Sequence, residues 1–382
     1  MSLKNLLIGF ILCTLFACND KKKDQKNAEQ GTINSEIYMI VGSYTNGSSK
    51  GIYVYKLDTI TGKSEYVSNI EIANPSYLTL NGKGTMVYSV TENEDSTSAV
   101  NSFSFDKESG HLKFINSVPS GGAAPCYIAL APTEKHLVTA NYLGGSISTF
   151  SINDDGSINS NSKIIQFRGK GLDKERQNSP HLHCTIFGID GKHLYATDLG
   201  TDQIYKFNVG SGENFLSEGT PKAFKVTPGS GPRHLTFHPN GKFAYLITEL
   251  SGDVLAFNYT DGNLSQFQAI KADSLNAAGS ADIHISPDGK YLYASNRLKG
   301  DGIAIFSIDE TNGHLTKIGY QPTNIHPRNF AITPTGNLLL VACRDSNSIQ
   351  VFKINRSTGL LTDAKENINL DKPVCIKFTS LD

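Results

Sequence analysis

A short pattern recurs seven times along this chain at a spacing of roughly 50 residues, and a repeat of that period restricts the fold more than composition does. The copies are residues 75–80, 125–130, 181–187, 232–237, 281–285, 327–332 and 373–378, most of them opening on proline and continuing with alternating apolar positions. A glycine-bearing turn follows in most copies, as at Asn240-Gly241-Lys242, Asp288-Gly289-Lys290 and Asp190-Gly191-Lys192, where glycine supplies the positive φ that a tight turn requires. A second strand is then predicted over 193–197, 243–247 and 291–295, a third over 253–257, 302–308 and 348–354, and a weaker fourth after turns such as 311–315. Four antiparallel strands per period make a propeller blade, and strands this short and regular exclude a parallel α/β sheet.

The two ends of the chain complete the count. Residues 37–42 resemble a second strand and residues 373–378 a first strand, so one blade is assembled from both termini. The fold class is therefore all-β, a seven-bladed β-propeller over 37–382 with the N- and C-terminal strands sharing one blade. An open solenoid or a sandwich would leave those ends without partners.

Composition agrees and narrows the partners. The chain has 35 Lys plus Arg against 36 Asp plus Glu, a formal charge of -1, and no long basic stripe, which excludes nucleic acid as a partner. With 35 Gly, 16 Tyr, 19 Phe and no Trp, it has the tight turns and β-forming aromatics of an all-β chain. Cys126, Cys184, Cys343 and Cys375 have neither CxxC nor zinc spacing and sit in strand-like apolar settings, so buried free thiols are expected.

The first residues follow a different rule. Lys4 precedes an apolar run from Leu6 to Phe16, too short for the roughly 20 residues of a spanning helix. Leu15-Phe16-Ala17-Cys18 follows, and residues 1–18 resemble a bacterial lipoprotein leader with Cys18 as the lipidated residue. Residues 19–36, carrying Lys21, Lys22, Lys23, Asp24 and Lys26 without apolar periodicity, suit a solvated tether. The expected location is the periplasmic side of a bacterial membrane, held there by the lipid alone.

Repeat register places the candidate site. In a propeller the start of each first strand and the end of each second strand meet at one mouth of the central channel. Eight residues before each turn glycine or its equivalent lie Ser76, Cys126, His183, Arg233, Ala281, Arg328 and Val374. Eight after it lie Glu92, Tyr142, Leu199, Glu249, Arg297 and Arg344, preceded by Thr91, Asn141, Asp198, Thr248, Asn296 and Cys343. Charges enclosed at strand ends are costly unless paired, so each could knit blades together. Jointly they read as an anion site, with guanidiniums for a carboxylate, phosphate or oxyanion and Glu or His for proton transfer.

Six motifs in order carry a family resemblance. Gly231-Pro232-Arg233-His234-Leu235-Thr236-Phe237-His238-Pro239-Asn240-Gly241 with Thr248-Glu249-Leu250 is the fullest of them. Pro180-His181-Leu182-His183, Thr197-Asp198-Leu199-Gly200-Thr201-Asp202, Asn141-Tyr142-Leu143-Gly144-Gly145-Ser146, Ala294-Ser295-Asn296-Arg297 and Pro327-Arg328-Asn329-Phe330 are the others. With these the chain resembles the propeller-type lactonase family, that of bacterial 6-phosphogluconolactonase and the carboxymuconate lactonizing enzymes. The resemblance implies hydrolysis of an anionic sugar lactone with no metal and no other cofactor. It implies His183, Arg233, Glu249 and Arg297 as catalytic residues, and His181, Asn141, Asp198, Asn296 and Arg328 around the substrate. Glu249 or His183 would take the proton from water, and Arg233 and Arg297 would hold the oxyanion and the substrate's anionic group, in an order left open. Export away from cytoplasmic sugar phosphates leaves unphosphorylated lactones as an alternative substrate. A lipid-anchored binding propeller is the non-enzymatic alternative, and a calcium-dependent lactonase would have to seat its cation beside Arg233 and Arg297.

Overall fold

The computed structural model describes residues 35–381, so the leader, Cys18 and nearly all of the expected tether lie outside the described residues. Each repeat copy forms the innermost strand of one sheet, and the described residues make seven sheets. The innermost strands are Leu78–Leu80, Pro125–Leu130, Leu182–Phe187, Pro232–Phe237, Ser280–Ile285, Pro327–Ile332 and Pro373–Ser380. Their antiparallel partners are Met86–Thr91, His136–Asn141, His193–Asp198, Phe243–Thr248, Tyr291–Asn296, Leu338–Cys343 and Glu36–Ser43. The outer edge of the sixth blade is broken into Leu361–Asp363 and Ile368–Asn369, both paired with Ser348–Ile354. Among the described residues the helical turns are two short 3-10 segments, Gly212–Asn214 and Arg344–Ser346.

The expected closure is present. Glu36–Ser43 pairs antiparallel with Pro373–Ser380, Tyr38 opposite Thr379 and Val41 opposite Ile376, so the last strand of the chain completes the sheet begun by the first. The turn between first and second strands takes the expected left-handed glycine at Gly191, Gly241, Gly289 and Gly336, with φ of 67°, 71°, 77° and 73°. In the second blade Glu134 occupies that place at φ 56°.

The second strands read as nearly unbroken apolar runs because both of their faces are buried. Along Glu36–Ser43, Tyr38 and Ile40 pack toward Leu78 and Val87 of one neighbouring blade, while Met39 and Val41 pack toward Leu338 and Leu340 of the other. Alternation along a strand produces this directly, since consecutive side chains point to opposite faces. Each buried leucine or isoleucine contributes about 1.5–3 kcal/mol of burial. Directional contacts then fix how the blades meet: Tyr195, Tyr245 and Tyr293 donate their hydroxyls to the carbonyls of Gly262, Gly313 and Gly359 at 2.8, 2.8 and 2.9 Å, each in the outer hairpin of the next blade. All four cysteines of the described residues are buried free thiols, as their settings predict.

Candidate active site

Six of the seven innermost strands carry a register shift near the same end. In the second blade Pro125 pairs with Asn141 and Tyr127 with Ala140, which leaves Cys126 bulged between them. His183, Arg233 and Arg328 occupy the same bulge in their blades, and Val374 does so in the shared one. In the fifth blade the bulge spans two residues, Ala281 and Asp282. A bulge re-aims a side chain that regular pairing would place on a blade face. The repeat column found in the sequence is therefore a ring of bulges.

The facing column is held by backbone bonds. The N–H groups of Glu92, Tyr142, Leu199, Glu249, Arg297 and Arg344 donate to the carbonyls of Asn74, Ala124, His181, Gly231, Gly279 and His326, each just ahead of an innermost strand. Tyr44 makes the equivalent bond to Lys372 and completes the ring.

Glu249 stands at the centre of the charge. Its Oε1 accepts from Arg176 at 2.6 Å, while its Oε2 meets Arg233 Nε at 2.8 Å and Arg297 Nη2 at 3.2 Å. Burial alone would raise this carboxyl, but the guanidiniums of Arg297, Arg233 and Arg176 outweigh it and hold it at about 2. Arg297 is lowered to about 9 by burial and by Arg233, Arg328 and Arg344, against the pull of Glu249, and it stays cationic at neutral pH. Its Nη1 lies 3.3 Å from His326 Nε2. The other ring nitrogen, Nδ1, faces both Asp345 at 3.1 Å and Arg344 Nη2 at 3.3 Å.

Arg233, 1% exposed, lies behind Glu249. Its Nη1 reaches the carbonyl of Ala281 and His234 Nε2, and His234 Nδ1 donates to Asp282 at 2.7 Å. Burial and Arg233 lower His234 to about 4, so that ring is neutral. Arg233 is thus held on all sides by protein groups.

In front of it opens a pocket of about 250 Å³, bordered by His183, Glu249, Arg297, Arg328, Arg176 and Tyr142, with Tyr44, Glu92 and Cys126 completing the floor and wall. Burial, then Arg233 and His234, push His183 well below its usual 6.5, so it is a neutral imidazole. Its Nδ1 is 3.7 Å from Cys126 Sγ, and Nε2 has no hydrogen-bond partner among the described residues. Burial raises the Cys126 thiol far above its ordinary value, which makes it a poor nucleophile. Arg328 has the loosest ties of the guanidiniums here, 3.7 Å from Glu92 Oε1 and over the Tyr44 ring at 5.5 Å from its centroid. Its remaining donors are available to a ligand.

The structure gathers His183, Glu249, Arg297 and Arg328 at the pocket and sets Arg233 directly beneath. The other expected substrate contacts lie elsewhere. Asn141 binds Ser146 and Ser148; Asp198 accepts from the His181 and Gly200 amides and from Thr201; Asn296 bridges Ser280 and the Ala272 carbonyl. Each precedes a pocket-column residue by one place and therefore points away from the mouth. His181 stacks on Tyr142, rings 4.5 Å apart, and supports that wall from behind.

Arg176 was not singled out by the sequence. It comes from the segment between Gln166 and Leu182, pinned by Gln177 Nε2 on the Leu199 carbonyl and by Asp173 accepting the amides of Glu175 and Arg176. Gly200 lets this segment lie close, since a Cβ there would sit 1.9 Å from the Ser179 carbonyl oxygen.

Known proteins match this architecture over nearly its whole extent. Residues 38–378 match the family described as Lactonase, 7-bladed beta-propeller. A 6-phosphogluconolactonase of Formosa agariphila is 42% identical over 85% of this chain and 94% of its own, and one of Bacillus subtilis is 35% identical over 88% and 97%. Among solved structures, a Bacteroides fragilis protein proposed as a 6-phosphogluconolactonase has a TM-score of 0.90 at 56% identity, covering 91% of this chain and 99% of that one. The periplasmic gluconolactonase of Pseudomonas aeruginosa has a TM-score of 0.85 at 30% identity, covering 91% and 100%. With the family match spanning residues 38–378 and relatives 35–56% identical over most of their length, the chain belongs to the seven-bladed β-propeller lactonases.

Proposed function

We propose that the pocket hydrolyses a sugar lactone, with 6-phosphogluconolactone opening to 6-phosphogluconate as the best-supported reaction. The observation that carries this is the neutral imidazole of His183 sharing one pocket with the loosely held guanidinium of Arg328 and with Arg297. The Formosa and Bacillus relatives of the same name support it.

Opening a lactone requires a proton taken from water, donors for the negative charge that develops on the carbonyl oxygen, and a proton for the ring oxygen as its bond to the carbonyl carbon breaks. In this reading His183 Nε2 takes the water proton and passes it to the departing ring oxygen. Arg297 and Arg328 face the oxyanion and the substrate's anionic group. Neighbouring guanidiniums make an imidazolium costly in the empty pocket, and an anion bound against Arg328 offsets that field, so His183 becomes more basic once substrate is bound. Glu249 is a weak base, because protonating it would leave three guanidiniums without a counter-ion. Its role is to hold Arg297 in place, with Arg233 as a positioning residue behind it.

A second reading, hydrolysis of unphosphorylated sugar lactones outside the cytoplasm, is supported by the leader sequence and by the Pseudomonas gluconolactonase relative. Acid release from 6-phosphogluconolactone and from glucono-δ-lactone, corrected for spontaneous hydrolysis, separates the two. Arg328→Ala is expected to lower kcat/KM for the phosphorylated lactone by about 100-fold or more. A variant within a few-fold of wild type on both lactones would remove Arg328 from the site.

The same proposal includes a lipid anchor at Cys18 and a periplasmic location, supported by Leu15-Phe16-Ala17-Cys18 and the charged tether. Cys18→Ala should move the protein from the detergent phase to the aqueous phase in a phase-partition experiment. A wild-type chain already in the aqueous phase would refute the anchor.

Acid stability gives a separate check on Glu249. Its folded-state value of about 2 lies below the ordinary 4.5, so its stabilisation is fully present above 4.5 and is lost as pH falls through 2. The shift corresponds to about 3 kcal/mol. Urea unfolding should show Glu249→Gln less stable by about 3–5 kcal/mol at pH 7, with the gap to wild type narrowing toward pH 3. A pH-independent gap would contradict the assigned ion cluster.

A further inference from the structure

The pocket of about 250 Å³ is the inner part of a larger space. A second compartment of about 720 Å³ adjoins it and shares Tyr44, Glu92, Glu94 and Ala124 with it. The outer compartment is nearly three times the size of the inner one, which holds the imidazole and guanidiniums. A single lactone ring seated against His183 and Arg328 would leave it to solvent.

The chemistry of its wall selects what could fill it. Apart from the Tyr44 ring and the Ala124 methyl, the lining consists of carboxylates, amides and two cations. The cations are already engaged: Arg344 makes bonds of 2.6 and 2.9 Å to Asp345, and Lys372 Nζ donates to Asn46 Oδ1 at 2.8 Å. Glu92, Glu94, Asp95 and Asp345 outnumber them, so a second anion is disfavoured there. An apolar group would face a mostly polar wall. A neutral, hydroxyl-rich group fits, because hydroxyls donate to carboxylate and amide oxygens at no cost in charge.

We infer that the outer compartment is a glycosyl subsite, so that this lactonase also takes lactones carrying a second, uncharged sugar on the ring. The lactone occupies the inner pocket for hydrolysis, as in the proposed function on which this inference rests, and the attached sugar lies across Glu92 and Glu94 into the outer compartment. The bond broken is still the ring ester; the outer sugar supplies binding and takes no part in the chemistry.

The test compares cellobiono-δ-lactone with glucono-δ-lactone on the full chain in detergent, above the spontaneous rate, for wild type and Asn46→Trp. Asn46 is exposed and borders the outer compartment alone, so an indole there fills that space without touching the inner pocket. Wild type should favour the disaccharide lactone by about tenfold in kcat/KM, chiefly through KM, equivalent to about 1.4 kcal/mol of added binding. Asn46→Trp should abolish that preference and leave glucono-δ-lactone turnover unchanged. Equal turnover of the two lactones, indifferent to Asn46→Trp, would overturn the subsite while leaving lactone hydrolysis intact. Turnover of neither while 6-phosphogluconolactone is still opened would also overturn the subsite, and failure on all three lactones would show that the hydrolase reading itself has failed.

Discussion

Three guanidiniums share one enclosed mouth because a single carboxylate, that of Glu249, stands among them. Without it the buried Arg233 and Arg297 would be like charges held out of water and the part-exposed Arg176 would lose its partner, at a cost of about 3–5 kcal/mol. With it, two of the three are fixed to Glu249 Oε2, and the third closes over Oε1 from a separate segment. The arrangement keeps Arg297 cationic and oriented while sparing Arg328, whose one carboxylate contact among the described residues is at 3.7 Å. The guanidinium the protein ties least is thereby the one left with free donors at the pocket.

The fold supplies the means. A propeller brings seven equivalent strand ends to one opening, but regular pairing would leave their side chains on the blade faces. The bulge at Cys126, His183, Arg233 and Arg328 turns them inward, and the tyrosine-to-glycine bonds tie neighbouring blades together at the end away from the mouth. A site that needs an imidazole and several guanidiniums within one small pocket is thereby built from residues about 50 apart in sequence.

The repeat made the ring legible before any coordinates, because a fixed count from each turn glycine reaches the same structural place. It picked out His183, Arg233, Glu249, Arg297 and Arg328 for that reason. Tyr44 escaped because its blade begins the chain, with no preceding turn from which to count. Asp282 escaped because the bulge in its blade holds two residues, and the count stopped at Ala281. Arg176 lies outside the repeat altogether, and the signal for it was the long strandless stretch from Phe167 to His181, a length that in compact domains is usually functional. Asn141, Asp198 and Asn296 were drawn to the substrate by their motifs, yet strand alternation, readable from the same sequence, turns them toward backbone and hydroxyl partners within the blades.

The central claim is that a neutral histidine, with Glu249 serving only as counter-ion, moves the proton in lactone opening. The most direct measurement is the rate of acid release from 6-phosphogluconolactone by the full chain and by His183→Asn, alongside its thermal unfolding midpoint. The account predicts a loss of about 100-fold or more in kcat with the midpoint nearly unchanged. A His183→Asn enzyme that turns over within a few-fold of wild type would contradict it.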